Sequence, residues 1–541
     1  MRHRAGAVVV AASIVYLVAA NVIWIAHDTR PPFWDMALHQ TIALKVYDAV
    51  ASAGPAAIAS IPSLTGQYPP LYHSIVAVFY GVFGKTVDAA QYANLAAVAL
   101  LAIATYHLGL RLSAPGGQNA AAAAAVLVSF YPMMLWLSRE TVIDYWLTAM
   151  VALAVWRLYA TAEFSDRQAS VVFGLVCGLG MLTKWTFPLF VAAPAAWLAR
   201  KNPRNAAIAA VIAAAIAAAW YLPAVPTLAG FLRTNMAGAL AEGDPDRLSL
   251  QAVIFYIRAM AGYQLFLPLF AAFVAGAVLV ARDVGFLRGH RPRLQLRQAA
   301  VGAVYDRARG SGAKAWAPIL LWLIGGWLGL MLFQNKDPRY SAPLLPAVAL
   351  ITARLFQNRA RFALAMAPLL LFQHYLVSFG IPQLPETVVL SKGRDGPLPW
   401  NWNLYTQTYF GLWGRPLKQD WPISQVLDAV SAAPSKAEFT GHPVRLGIIP
   451  EMPRFDPYAF EFYIALRKLP VVVNRIRTAD AGVLADNDYI LTSPSAPRWS
   501  FLPDPKDADA AIHARPEMFQ FVARFALPDG DVVELYKVRG R

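Results

Sequence analysis

Four short clusters of ionisable residues stand at the edges of apolar runs, where an unpaired charge is costly and a retained one points to function. The first is Phe33-Trp34-Asp35-Met36-Ala37-Leu38-His39. A helix from here to Val50 sets Trp34, Leu38, Ile42 and Val46 in one apolar row, so it can lie flat on a membrane, with Asp35 and His39 together on its polar side. The second is Ser138-Arg139-Glu140-Thr141-Val142-Ile143-Asp144. Its Glu140 and Asp144 have i, i+4 spacing, which puts both carboxylates on one face of the opening turns of a helix. Such a pair can hold a divalent cation or orient an acceptor hydroxyl. The third is Leu182-Thr183-Lys184-Trp185, and the fourth is Asn335-Lys336-Asp337-Pro338-Arg339-Tyr340. Lys and Arg beside a phenol suit a lipid-linked phosphate, which Arg can bind in a bidentate manner. Each cluster also has a plainer reading. Asp35 can cap a helix, Glu140 can pair with Arg139, Lys184 can snorkel to an interface, and Arg339 can anchor a turn.

The elements that must position these groups are membrane helices. Hydrophobic residues make up 57% of the 541 and charged residues only 15%, whereas soluble domains carry about 25% charge. Mean hydropathy is +0.43. The net charge of +15 lies in short runs between apolar segments rather than in one stripe, which argues against a nucleic-acid partner. A spanning helix needs roughly 20 apolar residues. The run Ala5 to Ala26 qualifies and reads as an uncleaved anchor. Leu71 to Gly84, opened by Tyr68-Pro69-Pro70, is too short and reads as an interfacial or re-entrant segment. Further spans fall near 90–110, 119–137, 142–160, 168–183, 186–199, 206–223, 263–281, 315–333, 341–356 and 362–380.

Basic residues test this register. One side collects Arg111, Arg167, Arg200, Lys201 and Arg204. It also collects the block Arg282, Arg288, Arg291, Arg293, Arg297, Arg307, Arg309 and Lys314, then Arg359 and Arg361. By the positive-inside bias that side is cytoplasmic. The sequence therefore predicts an α-helical polytopic protein of about eleven spans in the cell inner (plasma) membrane, with its N-terminus in the cytoplasm. All four clusters then face outward.

From about residue 381 spanning runs stop. Val444-Arg-Leu-Gly-Ile-Ile-Pro, Val471-Val-Val, Tyr489-Ile-Leu and Asp531-Val-Val-Glu-Leu-Tyr-Lys-Val read as strands, and Ala459 to Leu469 as a helix. The expected organisation is a transmembrane module over 1–380, with a first outer loop over 27–89. A linker over 381–414 and a small extracytoplasmic α/β domain over 415–541 follow. The single cysteine, Cys177, excludes an intrachain disulfide. Walker, H-E-x-x-H, G-x-S-x-G and dinucleotide fingerprints are absent.

The order of the clusters, with Tyr68-Pro69-Pro70-Leu71-Tyr72, Gly178-Leu-Gly-Met-Leu-Thr-Lys184 and Arg339-Tyr340-Ser-Ala-Pro-Leu-Leu-Pro346, resembles the family 39, protein O-mannosyltransferase-like glycosyltransferases of GT-C fold. That group includes bacterial aminoarabinose transferases. The closing Phe525-Ala-Leu-Pro-Asp-Gly-Asp-Val-Val-Glu-Leu-Tyr is similar to the tails of bacterial members. The resemblance implies an inverting transferase that takes a sugar from a polyprenyl-phosphate donor and passes it to a lipid, glycan or protein acceptor. It implies Asp35 as base or orienter of the acceptor, with Asp144 and its neighbour Glu140 as further acidic groups. Lys184, Arg339, Tyr340, Lys336 and Arg139 would serve the donor phosphate, with His39 and Tyr68 in support. Where the family often has Asp-Glu, this chain has Asp35-Met36, so Glu140 or Asp144 would have to supply a second carboxylate. Metal need differs between branches of this fold, so the resemblance leaves a divalent cation (Mg or Mn) open; its site would be Asp35, Glu140 and Asp144. The competing reading from another class is a membrane transporter or lipid flippase. Charges gathered at span ends and the lack of an internal repeat argue against it.

Overall fold

The computed structural model describes residues 2–113, 117–241, 243–286, 299–357, 360–391, 402–408, 413–432, 442–494 and 506–539. Arg288, Arg291, Arg293, Arg297 and Arg359 of the basic loops lie outside these residues, as do the linker stretches 392–401 and 409–412. The side chains of Arg307, Arg309 and Arg361 are likewise outside the described set.

Among the described residues, six helices are long and apolar enough to cross a membrane: Ala5–His27, Trp34–Leu64, Val87–Leu112, Pro203–Leu240, Phe266–Asp283 and Ala313–Leu330. Five fall on predicted spans. The remaining one, Trp34–Leu64, has the lowest mean hydropathy of the six. Its first part, the helix Trp34–Ala53, packs on Leu71–Phe83 and on the helix Pro457–Arg467 of the C-terminal region. Phe462 of that helix shares a core with Ala37, Ile42, Leu44, Tyr72 and Val76. Trp34–Ala53 therefore packs between Leu71–Phe83 and the C-terminal domain.

Other predicted spans are carried by shorter pieces. Pro132 removes a backbone donor and splits one into Gln118–Phe130 and Pro132–Leu137. Another is Leu345–Ala353, flanked by 3-10 turns at Pro338–Leu344 and Arg354–Phe356. One helix is longer than expected. The predicted span is 206–223, yet Pro203–Ala241 continues through Pro223 and Pro226 for 39 residues, about 59 Å at 1.5 Å per residue. Prolines are tolerated in membrane helices where neighbours satisfy the freed carbonyls. The excess length carries Phe231 and Asn235, which reach the pocket described below.

Small residues set the helix spacing. Ala121 and Ala124 of the Ala-rich run are fully buried, and a Cβ at Gly109 would meet Ala121 Cα at 2.6 Å. At Gly174 a Cβ would lie 2.6 Å from the carbonyl oxygen of Ala209 and 2.9 Å from its Cα. The helices Arg167–Met181 and Pro203–Ala241 can approach only because this side chain is missing. Gly174→Ala is therefore expected to cost about 1–3 kcal/mol by overpacking, read as a lower melting temperature of the detergent-solubilised protein. An unchanged melting curve would show that the two backbones have room to part.

The C-terminal domain is α/β. Strands β1 (Thr387–Ser391) and β2 (Trp402–Thr406) form an antiparallel pair within the stretch read as linker. Strands β3 (Val444–Ile448), β4 (Val471–Arg475), β5 (Tyr489–Thr492), β6 (Phe519–Ala526) and β7 (Val532–Val538) make one sheet of order β4-β3-β5-β7-β6. Strands β4, β3 and β5 are parallel, and β7 is antiparallel to both of its neighbours. Leu446, Ile448, Val533 and Leu535 bury one face of the sheet against Val426, Leu427 and Phe460 of two helices.

Candidate active site

Four elements meet around one pocket that opens to solvent. Each brings a charged group predicted from sequence. Asp35 stands in the first turn of Trp34–Ala53, where the positive helix end favours a carboxylate. Asp144 is the second residue of Ile143–Ala160. Lys184 follows the end of Arg167–Met181, where Gly180 leaves space for the Phe187 ring. Arg339 lies in the 3-10 turn Pro338–Leu344, which Asp337 starts. One Asp337 oxygen accepts the Arg339 backbone N–H at 2.8 Å and the other accepts its Nε–H at 2.8 Å. The turn is braced from behind by Gln264, whose Nε2 donates to Ser341 Oγ at 2.7 Å and to the Pro338 carbonyl.

Two ion pairs line the pocket. Lys184 Nζ donates to Asp144 Oδ1 at 2.7 Å, with side chains only 10% and 4% exposed. The same ammonium sits 4.8 Å from the Tyr340 ring centroid. Arg339 Nη2 donates to Asp35 Oδ2 at 2.5 Å. Asp35 keeps 37% of its side chain exposed to the pocket. Burial alone would raise the Asp35 carboxyl, but the Arg339 guanidinium, His39 and Lys184 outweigh it and hold the group below its ordinary value. Burial acts to lower Arg339, while Asp337, Asp35 and Asp144 hold it well above its usual range. Beside Asp35, His39 Nδ1 lies 3.1 Å from His73 Nε2, and the Tyr68 ring stands edge-on to His39 at 4.8 Å. Tyr68 and His39 thus line the Asp35 side of the pocket.

Three predicted residues point elsewhere. The i, i+4 reading of Glu140 and Asp144 assumed one continuous helix, but the helix begins at Ile143. Residues 138–142 form turns, closed by a bond from Val142 N–H to the Glu140 carbonyl at 2.8 Å. Glu140 consequently leaves the pocket and lies 3.7 Å from Arg454 of the C-terminal domain. Arg139, fully buried, donates to Ser378 Oγ at 2.7 Å and to the Val377 carbonyl at 3.3 Å, and stacks on Trp24 at 4.6 Å. It braces helices instead of facing a phosphate. Lys336 turns its ammonium onto the carbonyls of Leu330 and Phe333, so it closes a helix C-terminus. The cation set Asp35, Glu140, Asp144 does not assemble, because Glu140 faces away. Among the described residues no group of three His, Cys, Asp or Glu is arranged to hold a metal ion.

The pocket also holds residues that the clusters did not include. Phe231 and Asn235 come from the extension of Pro203–Ala241, and Tyr256 from Leu250–Ala259. With Tyr68, Trp185, Phe333 and Tyr340 they give the walls aromatic faces suited to a sugar ring, while Asn235 and Asn335 offer amides. A bond from Leu71 N–H to the Leu182 carbonyl at 2.9 Å ties the Leu71–Phe83 helix to the Lys184 turn.

Residues 67–229 match the family described as dolichyl-phosphate-mannose-protein mannosyltransferase. Over 356 residues the chain is 21% identical to the undecaprenyl phosphate-alpha-4-amino-4-deoxy-L-arabinose arabinosyl transferase 2 of Proteus mirabilis. That match covers 62% of this chain and spans 58% of the length of that relative. ArnT from Cupriavidus metallidurans, solved bound to undecaprenyl phosphate, superposes with a TM-score of 0.53 at 13% identity, covering 96% of this chain and 97% of that one. The Archaeoglobus fulgidus oligosaccharyltransferase superposes with a TM-score of 0.52 at 12% identity, covering 96% and 72%. The chain thus has the GT-C fold, and the family resemblance read from its motifs is borne out. It is an integral membrane protein.

Proposed function

We propose that the protein is an inverting glycosyltransferase that moves a sugar from a polyprenyl-phosphate donor to an acceptor on the outer face of the inner membrane. One observation carries this reading: a single pocket holds one accessible carboxylate, Asp35, together with two cations, Lys184 and Arg339. The likeness to a solved transferase with bound undecaprenyl phosphate supports the donor class. The name of the Proteus relative supports a pentosyl unit over a hexosyl one. The acceptor is a lipid, glycan or protein of the cell envelope.

A donor lipid is anchored in the bilayer, so its phosphate must sit at headgroup depth, where Lys184 and Arg339 stand. The acceptor oxygen attacks the anomeric carbon from the face opposite the phosphate. The bond from that carbon to the phosphate oxygen breaks, and its electron pair leaves with the phosphate. Lys184 and Arg339 stabilise the charge that develops there without needing to protonate it. The acceptor proton passes to Asp35, a general base. In the unliganded arrangement Arg339 bonds to Asp35 itself. Donor phosphate competes for that guanidinium and frees the carboxylate for the acceptor.

Arg339→Ala tests both roles. It is expected to raise the apparent donor KM about 10- to 100-fold, the equivalent of the roughly 1.5–3 kcal/mol of a charged hydrogen bond, whereas Asp35→Asn, which removes the competitor for that guanidinium, leaves donor KM unchanged or lower. The acid limb should move as well. A base works only when deprotonated, and Arg339 holds Asp35 below its ordinary value. Activity with acceptor should therefore persist into acid in the wild type and fail at higher pH in Arg339→Ala. Equal donor binding in the two variants would remove Arg339 from the phosphate site.

A further inference from the structure

Ahead of the Pro457–Arg467 helix, a short turn of the C-terminal domain touches the chain that leads into Trp34–Ala53. Arg454, 4% exposed, has a φ of +72°. Its Nη1 donates to the Pro31 carbonyl at 3.0 Å, its guanidinium covers the Phe33 ring at 4.3 Å, and Glu140 lies 3.7 Å away. Two residues on, Asp456 is wholly buried and uses its two oxygens on two different helices. Oδ1 accepts the Tyr458 N–H at 2.9 Å and so caps Pro457–Arg467. Oδ2 accepts the Trp34 N–H at 3.2 Å, 422 residues away in sequence.

Trp34 is the first residue of the helix whose second residue is Asp35. Its φ is +43°, a left-handed value that an L side chain holds only when its surroundings impose it. Asp456 on the Trp34 N–H and Arg454 on Phe33 and Pro31 are those surroundings. Relaxing Trp34 to an ordinary φ would swing the Asp35 side chain relative to Arg339. Capping alone does not call for this arrangement, since one oxygen satisfies an N-cap and Ser serves there nearly as well as Asp.

We propose that Asp456 is a positioning residue for sugar transfer. By accepting the Trp34 N–H it fixes the backbone from which Asp35 projects, so the C-terminal domain forms part of the active site. The proposal rests on the assignment of Asp35 as base, made above. It predicts that Asp456→Ser, which keeps the cap but is too short to reach Trp34, loosens that turn without unfolding the domain.

The experiment compares the full-length wild type, Asp456→Ser and Asp456→Asn in nanodiscs. The Asn variant can accept through one oxygen only, which covers the case of a Ser variant that fails to fold. Amide hydrogen exchange of the segment 33–40 should quicken by about tenfold or more in the variants, with the melting temperature nearly unchanged. Turnover should fall about 10- to 100-fold while donor KM stays within about twofold, a split that a general loss of stability would not produce. Unchanged exchange in 33–40, or undiminished turnover in the variants, would overturn the proposal. A wild type that transfers no sugar from any polyprenyl-phosphate donor would instead sink the assignment of function, and the exchange data would still decide whether Asp456 holds the Trp34 turn.

Discussion

Asp35→Asn is expected to lower turnover by about 10²- to 10⁴-fold, the usual contribution of a positioned general base, while the protein still inserts and melts normally. The substitution keeps the shape of the side chain and removes its ability to take a proton. Arg339 would not be stranded by the change, because Asp337 continues to bind its Nε at 2.8 Å. Donor affinity should therefore survive, and the loss should appear in kcat. The rival account makes Asp35 only a resting partner for Arg339. On that account Asn would remove a competitor for the guanidinium, so donor would bind at least as tightly and turnover would hold or rise. Steady-state kinetics in proteoliposomes separate the two outcomes, which have opposite signs. Undiminished transfer by the Asn variant would end the role of Asp35 as base.

The charged face of this pocket was legible in the sequence because ionisable groups at the ends of spanning helices are scarce. Asp35, Asp144, Lys184 and Arg339 each stood beside an apolar run, and all four line one pocket. Their partners were harder to read. Which way Glu140 turns depends on where the helix starts, and the turns over 138–142 ahead of Ile143 decide it. Phe231 and Asn235 were missed because the predicted span ends at 223, whereas the helix runs on through Pro223 and Pro226 to Ala241. In the C-terminal domain, β3, β4, β5 and β7 carried alternating or β-branched signals. Strand β6 was missed, because it pairs only with β7 at the sheet edge and leaves most of its side chains exposed. The contact of Asp456 with Trp34 joins segments too distant for any local pattern to connect.

Lys184 should show the second large effect, and its pairing with Asp144 makes the single variant ambiguous. Lys184→Met leaves Asp144 nearly buried without its 2.7 Å partner, and breaking a buried pair from one side costs about 3–5 kcal/mol. Lost activity in that variant would say little about donor binding. The informative protein is the double variant Lys184→Met with Asp144→Asn, which removes both charges together. Replacing a whole buried pair by neutral groups is often close to neutral for stability, so the double variant should recover most of the melting temperature lost by Lys184→Met. If Lys184 holds the donor phosphate, that recovered fold should still bind donor about tenfold or more weakly than wild type. If the pair only joins Ile143–Ala160 to the end of Arg167–Met181, donor KM should return with stability. The geometry favours the first outcome. The ammonium lies on the pocket wall between Asp144 and the Tyr340 ring, and a purely structural pair would gain nothing from lining the pocket. Thermal unfolding and donor titration on the same three proteins give the answer, and a double variant with wild-type donor KM would leave Arg339 as the phosphate-binding cation of the pocket.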